Sequence, residues 1–457
     1  MQTRILAAAA AILFLAGCGG PKPEVPQHQG ANKPDTSNIK IDGDRDAPVN
    51  KLAIEAIADL QDFWGKEFPK LYNEDYKPVA GGFFASTPES ESGPKCAKGY
   101  GDVAASVAFY CPLDDSVAWD SAAGLPELQQ KYGDFVIPIV LAHEWGHAVQ
   151  PRSGYFDQNK ITVSSELQAD CFAGAWAKHA QDDKVFDVSS GDLDTAVAGI
   201  LSLKDSAGTT SENTQDAHGS GFDRVSAFQD GYDNTVEKCK GYKDGDPVVL
   251  ELPFTDEEDA ARGGDAPYDE IVNKVPYDME DYWTQLYPEI TEGQAWTPLK
   301  GLQPFDPSSP PECGGQSVKG YRLFYCVPDD FIGWDNVDTL PKIYARSGDY
   351  AVATELATQY GLAALDRLGD KSEGKTSSLR GDCLAGSYTA SVMLQNRKAT
   401  SSYSISPGDL DEGIEALLIP IDKDAENTEG QGTGFERTRA FRAGVIDGAG
   451  ACLKYGE

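Results

Sequence analysis

Histidine is scarce in this chain: five among 457 residues, at positions 28, 143, 147, 179 and 218. A motif that needs two of them at a set spacing therefore does not arise readily from composition. Basic residues are also few. The 39 Lys and Arg stand against 73 Asp and Glu, for a net charge of −34. That balance argues against nucleic-acid binding and against docking on anionic lipid headgroups, and fits a highly solvated surface. Long apolar runs are missing after residue 16, so no later segment is expected to cross a bilayer as a helix. No cysteine pair has metal-finger spacing, and a closed structural zinc site would want four Cys or His ligands.

What is present is His143-Glu144-Trp145-Gly146-His147, an HExxH motif. Residues i and i+4 share a helix face, so His143 and His147 can meet one metal ion, with Glu144 close enough to take a proton from the attacking water. Helix-start chemistry precedes the motif. Asp134 can cap, Pro138 fits a first turn, and Val136, Ile137, Ile139, Val140 and Leu141 supply an apolar face. Two imidazoles leave a catalytic zinc one protein ligand short. The metzincin pattern would supply a Gly and a third His soon after the motif, but Gln150 and Ser153 stand there. A gluzincin-type site takes a Glu from a second helix, with an Asp one turn later. Glu166 and Asp170 match that pattern, on a helix that can begin at Ser165 with Gln168 as its capping-box partner.

Three stretches, HEWGHAVQ, SSELQADCFAGAWA and His218-Gly-Ser-Gly-Phe-Asp-Arg-Val225, occur in order along the chain. With FYCPLDD inside 96–120, they resemble the neutral zinc metallopeptidase family of bacteria over most of 95–240. The resemblance implies a zincin-like fold, Zn2+ as cofactor and peptide-bond hydrolysis. It also implies that the strand expected at 103–110 lies above the metal, where an extended substrate pairs with its edge.

The N-terminus reads as a bacterial lipoprotein signal. Arg4 precedes an apolar run too short to span a bilayer, and Leu15-Ala16-Gly17-Cys18 suits cleavage and acylation at Cys18. A plain secretory signal is the alternative. The mature chain is expected outside the cytoplasm, lipid-anchored to the outer face of a membrane of the cell envelope. Residues 19–46, rich in Pro, Gly, Asn, Gln, Asp and Lys, read as a flexible tether. Removing Cys18 from the nine cysteines leaves eight, an even number that reads as disulfides in an exported protein.

The chain also aligns with itself. Cys111-Pro-Leu-Asp-Asp-Ser-Val-Ala-Trp-Asp120 meets Cys326-Val-Pro-Asp-Asp-Phe-Ile-Gly-Trp-Asp335, and the match runs without a gap to Gln150 and Leu365. Asp170-Cys171 meets Asp382-Cys383, Asp194 meets Asp411, Phe222 and Arg224 meet Phe435 and Arg437, and Cys239 meets Cys452. The expected fold class is therefore α+β, as two tandem zincin-like metallopeptidase domains. These are 47–245 and 271–457, joined by an acidic linker at 246–270. The second copy lacks the metal site, since Thr358, Gln359, Leu362 and Ser378 fall opposite His143, Glu144, His147 and Glu166. The duplication selects four disulfides, because each copy then has the same two: Cys96–Cys111, Cys171–Cys239, Cys313–Cys326 and Cys383–Cys452. Within a copy, 51–72 reads as a helix with a core-facing stripe, and further helices are expected at 193–203 and 222–239.

The expected function is a zinc peptidase acting on peptides or proteins of the envelope or exterior, with no nucleic-acid partner. His143, His147 and Glu166 hold zinc, and Glu144 is the general base. Asp170 either holds a ligand imidazole or serves the fold, since Asp382 keeps its place where the ligands are gone. His28 falls in the tether, and His179 is most simply a surface residue. His218 falls opposite Gln431 while its glycine neighbours are matched, which marks it as a donor to the oxyanion that forms in the reaction. The competing expectation is an envelope lipoprotein that binds a partner through the second half, with the zinc structural or vestigial.

Overall fold

The computed structural model describes residues 32–155, 162–209, 217–242, 249–250, 252–398, 403–418 and 430–456. Cys18 and His28 lie outside them. Helix α1 (Pro48–Tyr72) starts earlier than its apolar pattern, at a proline whose fixed φ suits a first turn. The stripe Ala53, Ile57, Leu60, Trp64, Phe68 and Leu71 is buried, as its spacing predicts. Then come β1 (Phe83–Ser86), α2 (Tyr100–Ser106), β2 (Ala108–Cys111), β3 (Ser116–Asp120), α3 (Gly124–Tyr132) and α4 (Val136–Arg152). Helices α5 (Thr162–Asp182), α6 (Ser190–Leu201) and α7 (Gly221–Gly241) follow. Strand β3 pairs in parallel with β1 and antiparallel with β2, which leaves β2 at an edge, against α4.

The second half runs in a matching order. After α8 (Glu257–Ala261) come α9 (Tyr268–Ile290), β4 (Gly301–Phe305), β5 (Glu312–Cys313), β6 (Gln316–Ser317), β7 (Leu323–Cys326) and β8 (Phe331–Asp335), with strands β5 and β6 where the first half has α2. Helices α10 (Thr339–Ser347), α11 (Asp349–Leu368), α12 (Gly374–Leu394), α13 (Asp409–Leu418), α14 (Gly434–Asp447) and α15 (Ala449–Cys452) complete the chain. Sheet β4-β8-β7 has the strand directions of β1-β3-β2, and Tyr325 opposes Ile332 as Tyr110 opposes Val117. Residues that align in sequence make the same contacts. Arg152 reaches Asp115 at 2.7 Å and Arg367 reaches Asp330 at 2.8 Å, and Asp115 and Asp330 share positive φ, +56° and +58°. The chain is thus mixed α and β, mainly helical with small sheets, and among the described residues no helix is long and apolar enough to cross a membrane.

The two halves meet through α6, α7, α13 and α14. At the join, Asp411 of α13 accepts from the Phe222 backbone N–H at 2.8 Å, at the N-terminus of α7. Asp194 of α6 does the same for Phe435 at 2.7 Å and Gly434 at 3.0 Å, at the N-terminus of α14. Each half thus caps a helix of the other. All four expected cysteine pairs are bonded.

Several expectations change. The stretch 103–110 is not one strand: α2 runs to Ser106, Val107 breaks it at φ +64°, and only then does β2 begin. Asp134 does not cap α4; it accepts instead from Gln129 Nε2 at 2.8 Å. Ser165 lies inside α5, and Gln168 donates to the Cys239 carbonyl at 3.1 Å rather than to a capping box. Part of the stretch read as tether is tied down. Ile39 is buried, Asp42 bridges Phe84, and Asn32 donates to Asp183 and Lys184 carbonyls. The stretch read as linker holds α8, whose Asp259 is buried and accepts from Ser406 at 2.7 Å.

Candidate active site

Helix α4 is buried almost all round, so its polar residues have no solvent to satisfy them and must find partners. They find them on α5. Gly146 lets the two helices touch: a Cβ there would stand 2.6 Å from Ala169 Cα. Ala169 lies between Glu166 and Asp170, so this close approach carries both carboxylates to the histidines.

The three expected ligand groups converge. His143 Nε2 and His147 Nε2 are 3.2 Å apart, and Glu166 offers Oε2 at 3.2 Å to the first and Oε1 at 3.3 Å to the second. Two zinc–ligand bonds of about 2.0–2.1 Å at a tetrahedral angle place their donor atoms about 3.3–3.4 Å apart. The donor set therefore fits zinc in both spacing and chemistry, with the fourth position left for a water or substrate.

The other imidazole nitrogens are held from behind. Asp170 Oδ1 meets His143 Nδ1 at 2.7 Å. Arg224 pins that carboxylate with Nε at 2.8 Å and Nη2 at 3.1 Å, and its Nη1 reaches the Leu203 carbonyl at 2.7 Å. Gln150 donates from Nε2 to the Ser165 carbonyl at 2.6 Å, so its Oε1 must face His147 Nδ1, at 3.0 Å. Both rings thus carry a proton on Nδ1 and aim the Nε2 lone pair at the centre. In the second half Arg437 grips Asp382 at 3.0 and 3.2 Å, and the other Asp382 contact is Thr358 Oγ1 at 2.9 Å, where His143 would stand. Asp170 therefore does both things considered for it: the Arg–Asp pair belongs to the fold, and the histidine contact is special to the first half.

Charge follows this geometry. Burial alone would push the His143 imidazole down, but Asp170 and Glu166 outweigh it and raise it to about 10. Burial likewise opposes ionisation of Glu166, yet His147 and His143 hold that carboxylate well below its ordinary range. Burial raises Glu144, against the pull of His143 and His147. A dication in place of these protons would satisfy the same carboxylates.

A cleft of about 420 Å³ opens on the centre, lined by Phe109 and Tyr110 of β2, Glu144, His218 and apolar residues such as Val140 and Ile200. The Tyr110 backbone N–H donates to Glu144 Oε2 at 2.9 Å, so the edge strand orients the carboxylate. His218 stands at the rim, with half its side chain exposed. Asp205 accepts from the His218 and Gly219 backbone N–H groups at 2.7 and 2.8 Å and faces His218 Nδ1 at 3.3 Å. His179, expected at the surface, is instead half-buried between Asp59 and Asp183 at 3.2 and 3.3 Å, far along α5.

Sequence reasoning missed Gln150, Arg224, Asp205 and the Tyr110 N–H. Gln150 was findable, because Leu365 stands at its matched position and so it is lost together with the ligands. Arg224 was hidden by its match in Arg437. Asp205 sits on a loop with no pattern to mark it.

The family described as "Putative neutral zinc metallopeptidase" matches residues 24–242. The chain is 30% identical over 206 residues to the uncharacterized protein YpfJ of Escherichia coli K12, which is 40% of this chain and 68% of that protein. It is also 30% identical over 168 residues to the uncharacterized proteins Mb2605 of Mycobacterium bovis and Rv2575 of Mycobacterium tuberculosis, 31% of this chain and 54% of each. No solved structure matches the chain.

Proposed function

Because this chain belongs to the neutral zinc metallopeptidase family, whose cofactor is Zn2+, we propose that it hydrolyses peptide bonds at the centre formed by His143, His147 and Glu166. The observation that carries this reading is the placing of Glu144. It borders the open side of the ligand triad, held by a backbone N–H of an edge strand that lines the same cleft. A site serving structure alone has no use for a carboxylate there.

Zinc held by the triad would polarise the scissile carbonyl and ease deprotonation of water. Glu144 takes one proton from the attacking water as its oxygen bonds to the carbonyl carbon. It then delivers that proton to the amide nitrogen as the C–N bond breaks. His218, positioned by Asp205, donates to the carbonyl oxygen as charge gathers on it. The edge of β2 pairs with the extended substrate backbone. Asp170 and Gln150 keep the two imidazoles in the tautomer and tilt that the triad needs.

The wider reading is a lipid-anchored peptidase of the cell envelope, acylated at Cys18, acting on envelope or extracellular proteins. The mature chain is read as two tandem zincin-like copies, 47–245 and 271–457, the second degenerate. The matched contacts of the two halves support the duplication. The apolar run before Cys18 supports the anchor, and mass spectrometry of the mature N-terminus tests it.

The decisive experiment is cleavage of an unstructured protein by the full chain. Activity should vanish with chelator and return with zinc. Glu144→Gln should lose about 10²–10⁴ of kcat while keeping its zinc. A Glu144→Gln protein that cleaves like wild type would sink the reading.

A further inference from the structure

The second half carries an unexplained concentration of negative charge. Carboxylate oxygens of Asp265, Asp349 and Glu412 lie within 4.8 Å of one another, on the loop after α8, the first residue of α11 and the first turn of α13. Asp349 is 3% exposed; its Oδ2 accepts from the Ala266 N–H at 2.8 Å, and its Oδ1 has no hydrogen-bond partner. Asp409, 2% exposed and one turn from Glu412 on α13, also holds an Oδ1 without a partner. These are two buried carboxylate oxygens lacking donors, whereas Asp170 and Asp382 each receive an arginine.

The nearest basic residue on that loop looks elsewhere. Arg262 pairs with Glu258 at 2.8 Å and donates to the Asp265 carbonyl, not to its carboxylate. Among the described residues no Lys, Arg or His forms an ion pair with Asp265, Asp349, Asp409 or Glu412. The backbone contributes little: the Tyr350 N–H reaches Glu412 Oε2 at 2.8 Å, and the N-terminus of α11 adds a fraction of a positive charge. Gly348, at φ +92°, leaves the room beside the Glu412 carboxylate that a Cβ would fill. Buried like charges at such spacing are unfavourable unless a shared proton or a cation joins them.

The matched place in the first half is built differently. Asp134 takes a Gln129 amide, and Thr195 stands where the second half has Glu412. The cluster is therefore not a by-product of the shared architecture. The triad of the first half shows the same convergence of possible ligand atoms from separate elements. There the donors are two imidazoles and a carboxylate. Here they are oxygens only, which a hard ion prefers to zinc.

We propose that Asp265, Asp349 and Glu412, with Asp409 behind them, form a Ca2+ site that ties the loop after α8 to α11 and α13. Calcium–oxygen bonds of about 2.3–2.6 Å put ligands on opposite sides of the ion about 4.6–5.2 Å apart, and adjacent ones closer, so the observed spacing suits it. Carbonyls and waters complete the shell. The ion neutralises the carboxylates and holds α13, whose Asp411 caps α7 of the other half. The site is independent of the peptidase reading.

The test uses the full chain, stripped of divalent ions and reloaded with one equivalent of zinc. Calcium chloride should bind at one further equivalent by calorimetry and raise the melting temperature by about 3 °C at a hundredfold excess over Kd. Magnesium should do so only at much higher concentration, because the smaller ion keeps its waters. Asp265→Asn, on a half-exposed loop where folding is not at risk, should abolish the calcium response and leave zinc content unchanged. Asp349→Asn should raise the calcium-free melting temperature by removing repulsion, and should also abolish the response. A wild-type chain that neither binds calcium at millimolar concentration nor melts differently in it overturns the proposal. So does an Asp265→Asn, Glu412→Gln protein that responds as wild type does.

Discussion

Gln150 shows how much a single side chain sets at this site. Its amide is locked by the Ser165 carbonyl, so only its oxygen can face His147, and the ring has one tautomer left. Gln150→Leu, which installs the residue of the matched position, should weaken zinc binding by about 10–100-fold. Circular dichroism should stay unchanged, and a competition titration with a chromogenic chelator measures the loss. At the rim, His218→Ala should lower kcat by about 10²–10³, the scale of one oxyanion donor, with zinc content and melting nearly unaltered. Asp205→Asn should lower kcat less, because it loosens the ring without removing it. Near-wild-type turnover of His218→Ala, or loss of its zinc, would each remove His218 from that role.

Among elements, α5 does the most, because it supplies Glu166 and Asp170 to one neighbour and packs along α7 on the other side. Cys171–Cys239 ties α5 to the end of α7 across a separation of 68 residues, and both cysteines are fully buried. Closing a loop of that length is worth about 4 kcal/mol, against about 3 kcal/mol for the 15-residue separation of Cys96–Cys111. The double variant Cys171→Ala, Cys239→Ala should therefore melt lower and release zinc at a lower temperature than the double variant at 96 and 111. Equal zinc retention in the two would show that α5 is held by packing alone. Gly231 makes the packing side of the argument, since a Cβ there would run into the Cys171 carbonyl.

For the whole molecule, reciprocal contacts join the halves. Asp411 binds both the Phe222 N–H and Lys204, at 2.8 and 3.3 Å. Lys204 stands between Leu203, which receives Arg224, and Asp205, which positions His218. Asp194 caps α14 in the reciprocal way, and among the described residues it has no hydrogen bond to the catalytic side. Each substitution to Ala should cost about 1 kcal/mol as a lost cap. Asp411→Ala should in addition lower kcat about 3–10-fold, while Asp194→Ala should not. Equal kinetics for the pair would confine the second half to packing. Deleting 271–457 answers less, because it also uncovers Tyr232 and Phe228, on which Phe435 rests at 5.0 and 6.4 Å.

Spacing along the chain determined what lies within one element or recurs in both halves. The i, i+4 histidines share a face of α4, the stripe of α1 is core, and the self-alignment selects the four cysteine pairs that are bonded. Those features depend on short periods or on repetition, and both survive in a string of letters. Only the tertiary structure decided where α2 yields to β2, what Asp134 and Gln168 bond to, and that 32–46 lies against the first half. A partner outbid the local preference, near in sequence as Gln129 is for Asp134 or far along the chain as Cys239 is for Gln168. The reciprocal caps, the Asp205 support of His218 and the carboxylates around Asp349 belong to the same class. Each joins segments that sequence order holds apart, and free energy at those points comes from burial and charge in three dimensions.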